Sequence, residues 1–88
     1  MGMPLELNTI LKLSPNQGYP SSLIVGNAFV AIKQDYRLFP LDISVPLVNK
    51  EWRAYADVII FRLTWEKQRT ILVFEVVKTY EKSVLYKH

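Results

Sequence analysis

Few residues in this chain could carry chemistry. The one histidine is His88, the last residue. Chain ends fray, so it makes a poor general base. There is no cysteine. A zinc site draws three or four nitrogen or sulfur ligands, largely from histidine and cysteine, and that set is missing. The eight acids are scattered rather than clustered as a calcium loop requires. Asp35 and Asp42 could approach in space, but nothing in their spacing demands it. Ser21 and Ser22 sit in a turn-rich stretch with no base nearby, and the three glycines form no phosphate loop. The expectation is a protein that is not an enzyme, with no catalytic residue, no metal and no cofactor.

What remains is a set of aromatic residues beside basic ones: Tyr36-Arg37, then Trp52, Arg53 and Tyr55, then Lys67 and Arg69. Arginine and aromatic rings stack nucleobases on small β folds. They also dominate the hot spots of protein interfaces. Arg37, Trp52, Arg53, Tyr55 and Arg69 are therefore the candidate binding residues. The partner would be a protein or a nucleic acid, and a Trp52 that merely plugs one end of a barrel is the structural alternative. The stretch VGNAFVAI, Val25–Ile32, partly matches an RNA-recognition signature. Gly26, Ala28, Phe29 and Val30 agree, but Val25 replaces the leading cation, Asn27 and Ile32 replace aromatics that include stacking groups, and no helix of the length that fold needs is visible.

The elements that must position these residues read almost wholly as strands. From Leu5 to Leu13 apolar residues fall on odd positions, with a slip at Ile10. Ala28, Val30 and Ile32 alternate in the same way. So do Phe39, Leu41, Ile43, Val45 and Leu47, although Pro40 and Pro46 interrupt that run and proline cannot donate to a ladder. A turn at Gln34-Asp35 would pair Val30 with Phe39 and Ala28 with Leu41. The prolines then mark bends or a blunted edge.

The clearest pair is Asp57–Trp65 with Thr70–Tyr80, closed about Lys67-Gln68. It sets Leu63 against Leu72, Phe61 against Phe74, Ile59 against Val76 and Asp57 against Lys78, and leaves Arg62 and Glu75 as diagonal neighbours able to form an ion pair. Both faces of this ribbon are apolar, which predicts a closed barrel or a dimer interface. The tail from Tyr80 reads as a last strand.

Length and charge bound the rest. Eighty-eight residues, half of them apolar, predict one β domain over residues 1–88. The net charge of +3 is interspersed with acids, unlike the concentrated stripe of a dedicated nucleic-acid binder. No signal peptide and no apolar run near the length of a membrane span is visible. With no cysteine, the expectation is a cytoplasmic protein with no membrane partner.

The stretches MPLELNTILKL, YRLFPLDISVPLV and EWRAYADVII resemble a family of short, uncharacterised bacterial proteins, the YtmB-like proteins, over Met3 to about Val77. The resemblance implies a bacterial, soluble, β-rich protein of unknown function and supplies no site residues. The expected fold is all-β, a small barrel or strongly bent antiparallel sheet of roughly five to seven strands. The expected role is a noncatalytic binding module, with a structural, self-associating protein that forms a homodimer as the alternative.

Overall fold

A computed structural model describes residues 7–86. Met3, Leu5 and His88, named above, lie outside the described residues. The fold is all-β: β1 (Leu11–Lys12), β2 (Ala28–Gln34), β3 (Ser44–Val48), β4 (Arg53–Glu66) and β5 (Arg69–Leu85), with a short 3-10 turn at Pro15–Gln17. They form one sheet in the order β1-β3-β4-β5-β2. The sheet is open, with β1 and β2 as its edges, so the barrel expectation gives way to the bent sheet. The sheet is also mixed, because β1 runs parallel to β3 while the other pairs are antiparallel. Drawn out straight, the 17 residues of β5 would span about 55 Å at ~3.3 Å each. The longest dimension of the molecule is 45 Å, so the ribbon must bend.

The long β4–β5 hairpin supplies most of the core. It turns on Lys67 and Gln68, both at positive φ (50° and 63°), the left-handed conformation that a two-residue hairpin turn demands at both positions. Leu63 pairs with Leu72 and Asp57 with Lys78, as the alternation predicts. Between them the register differs by one step. Phe61 is an extra residue on β4, so Ile60 faces Phe74 and Val58 faces Val76. The expected pairs Phe61–Phe74 and Ile59–Val76 therefore do not form. Val77 is the matching extra residue on β5 and restores the original register at Asp57. A bulge bends its strand and increases local twist, and two in one ribbon account for part of the curvature. Farther along, β5 passes Tyr55 with four residues, Tyr80 to Ser83, before Val84 meets Ala54. The Tyr80 hydroxyl donates to Asp57 Oδ1 across this irregular stretch.

The slip decides which face is buried. Ala56, Val58 and Ile60 join Leu72, Phe74 and Val76 in one core with Leu11, Leu13, Ala31, Phe39, Val45 and Leu47. The ring of Phe29, on β2, lies 5.9 Å from that of Phe74. The second face of the ribbon is half-buried or exposed, so the two-sided burial expected of a barrel is not seen among the described residues.

Two expected pairings are replaced. β2 does not fold back on residues 36–48; it pairs with β5, Val30 opposite Val73 and Ile32 opposite Ile71. The more hydrophobic set, Ala28, Val30 and Ile32, faces outward, while Phe29, Ala31 and Lys33 turn toward the core. Nor is Leu7–Leu13 a continuous strand. Leu7 makes an isolated bridge to Leu38, bends occupy Thr9 and Ile10, and β1 is two residues long.

Pro46 explains why β1 is so short. The register Leu11–Leu47 and Lys12–Val48 would next place Ile10 beside Pro46, which has no N–H to give. Val48 directs its carbonyl toward this side, accepting from Leu13 N at 2.9 Å, and Pro46 shares its parity. The missing donor thus faces the side that β1 has left, which is the blunted edge expected of it. Pro40 lies outside any strand. Leu41 and Ile43 are exposed because Asp42, at φ 62°, bends the chain there and donates its N–H to Ile60 O at 3.0 Å.

Candidate functional site

The end of β1, the inward face of β2 and the segment after it enclose a cleft of about 340 Å³, lined by Asn8, Ile10, Lys12, Lys33, Arg37, Phe39 and Trp52. Each basic side chain arrives for a local reason. Lys12 is the last residue of β1, paired with Val48. Lys33 lies on β2 two residues beyond Ala31 and shares its inward parity. Arg37 follows a turn made by Asp35 at φ 67°. That turn is tied down by Thr70, fully buried, whose hydroxyl donates to Asp35 O and accepts from Arg37 N, both at 2.8 Å. Trp65 adds a third tie, its Nε1–H donating to Arg37 O at 2.8 Å while its ring lies 5.9 Å from Tyr36. Trp52 closes the far side at φ 65°, where its N–H donates to Asn49 O at 3.0 Å and its carbonyl accepts from Tyr86 N at 2.8 Å.

The charged residues described along the cleft are all basic. Lys33 is only 9% exposed. Its ammonium donates to Lys12 O. Burial first, then the charges of Arg37 and Lys12, push its pKa down from 10.5 to about 8. Lys12 Nζ sits 4.6 Å from the centre of the Trp52 ring, a cation–π contact. The Nε–H of Arg37 donates to Gln34 O at 2.9 Å. Among the described residues the single ion pair is Arg69 with Glu66, 3.3 Å apart at the hairpin tip. Among the described residues no acid lines the cleft.

Of the five residues expected to bind, Arg37 and Trp52 meet here. The other three do not join them. Arg53 and Tyr55 are exposed on β4, and Arg53 reaches Ser83 Oγ at 3.1 Å. Arg69 is held by Glu66. Lys12 and Lys33 were missed. Their signal was weak: two lysines on polar positions of alternating stretches, which look solvated until the fold turns one inward. Among the described residues no group of His, Cys, Asp and Glu could hold a metal ion, and no helix is long and apolar enough to cross a membrane.

An open, bent five-stranded sheet with a basic cleft at its β1 corner defines the class: a small all-β protein. The chain belongs to the family described as a domain of unknown function (DUF2584), whose model matches residues 1–82. It is similar to the crystal structure of protein YtmB from Bacillus subtilis, with 26% identity, a TM-score of 0.71, and coverage of 91% of this chain and 95% of that one. No curated protein matches.

Proposed function

We propose that the protein is a noncatalytic binding module whose cleft takes the phosphate group of a ligand. The observation that carries this reading is the convergence of Lys12, Lys33 and Arg37 on one concave site with no acid among its described lining residues. Cations held together repel one another, and Lys33 is also drawn out of water. An anion in the cleft removes both penalties at once. A phosphate monoester suits it better than a carboxylate. It brings up to about two charges and three acceptor oxygens, where a carboxylate brings one charge. The guanidinium offers a planar fork and the ammoniums compact point charges. A volume of about 340 Å³ falls within the small-molecule range. The scattered remaining charge favours a single phosphate over the backbone of a duplex, which requires a row of cations.

Titration calorimetry with inorganic phosphate, a phosphorylated sugar and a 5′-phosphorylated oligonucleotide tests the reading. Phosphate should bind, and Lys33→Gln or Arg37→Gln should each weaken it roughly 10-fold or more, as expected for a charge-assisted hydrogen bond. Tighter binding of the sugar phosphate or of the oligonucleotide identifies the source of the group. Equal affinity of parent and variants for every probe, or no binding at all, overturns the proposal.

A further inference from the structure

We infer that the outward face of the β2–β5–β4 sheet is the contact surface of a homodimer, with Arg62 of each copy paired to Glu75 of the other. The inference does not rest on the cleft, which opens elsewhere. The outward row sets Val30 of β2 opposite Val73 of β5 and Ile32 opposite Ile71, with Ile59 of β4 beside Glu75. Val30 is 58% exposed, Ile32 40%, and Phe61 at the bulge 45%. Soluble monomers rarely leave a contiguous apolar sheet face in water.

The charges on this face single out a second copy as the occupant. Arg62 lies opposite Val73, and Glu75 lies between Ala28 and Ile59, so both share the apolar face. The ion pair expected between them within the chain is not formed; among the described residues Arg69–Glu66 is the single such pair. The centre of the face therefore presents one cation and one anion on neighbouring strands, neither with an ionic partner among the described residues. A two-fold axis lying in the contact plane, bisecting the line from Arg62 to Glu75, brings each over the opposite charge of the other copy and forms two equivalent pairs. That is the self-complementarity an isologous interface requires. A membrane surface would favour a face with cations alone, and Glu75 opposes it.

Sedimentation velocity on the full chain, from low to high micromolar concentration, is the test. The parent should form dimers. Arg62→Glu and Glu75→Arg should each raise the dimer dissociation constant at least about 10-fold, because each sets like charges face to face. The double variant R62E/E75R should recover dimerisation. Both substitutions are on the outward face, and circular dichroism confirms that each variant keeps its fold. A parent that stays monomeric throughout, or a double variant no better than either single one, overturns the inference.

Discussion

Replacing Lys33 with methionine removes the inward ammonium and keeps an unbranched side chain of similar length. The lysine titrates near pH 8 in the folded protein and near 10.5 when unfolded. Between those values the unfolded chain binds more protons than the folded one, so the stability of the parent rises with pH across that window. Below about pH 8 the folded protein bears the full penalty of a charged, half-desolvated ammonium; above about 10.5 it bears none. A shift of this size corresponds to an upper bound of about 3.4 kcal/mol. Solvent screening at the open side of the cleft reduces it to roughly 2 kcal/mol. The variant also strips Lys12 O of its donor, an offset of about 1–3 kcal/mol that is the same at every pH. The quantity to measure is therefore a difference of differences. Urea unfolding of parent and variant should give a gap that moves by roughly 2 kcal/mol in the parent's favour between about pH 7.5 and 10.5. Parallel stability curves would refute the claim that Lys33 is held as a destabilised cation.

The two glycines at positive φ should respond unequally to alanine. At Gly18, φ 111°, an added Cβ would fall 2.7 Å from Val30 O and 3.0 Å from Ala31 Cα; at Gly26, φ 96°, it meets open space. Thermal unfolding should show Gly26→Ala losing about 1 kcal/mol from backbone conformation alone, and Gly18→Ala clearly more; equal losses would deny the close approach of the 3-10 turn to β2. Changing Lys67-Gln68 to Asn-Gly should stabilise the hairpin by about 1 kcal/mol, since both positions already hold positive φ. That should raise the melting temperature by roughly 4–8 °C.

How much of this was legible in the residues differs from place to place. The β4–β5 ribbon was, because alternation over ten or more residues leaves little freedom and the turn sits where polar residues break it. The bulge at Phe61 was not: no glycine or proline marks it, and Phe61 and Ile60 are equally apolar, so either could point inward. Pattern chose the wrong face of β2 for a related reason. Val30 and Ile32 outweigh Phe29, Ala31 and Lys33 in hydrophobicity, yet inward parity follows from pairing with Thr70, Leu72 and Phe74 on β5, a contact some forty residues away in sequence. Once that face turns inward Lys33 goes with it, and the cleft follows. Arg37 and Trp52 could be picked out by residue type alone. Lys12 and Lys33 needed the third dimension.

The most direct test is an NMR titration of the Lys33 ammonium in the full chain, with and without inorganic phosphate. The account predicts an apparent pKa near 8 in the free protein and a clear rise toward the ordinary lysine value once phosphate is bound. A Lys33 that titrates identically in both conditions would contradict it.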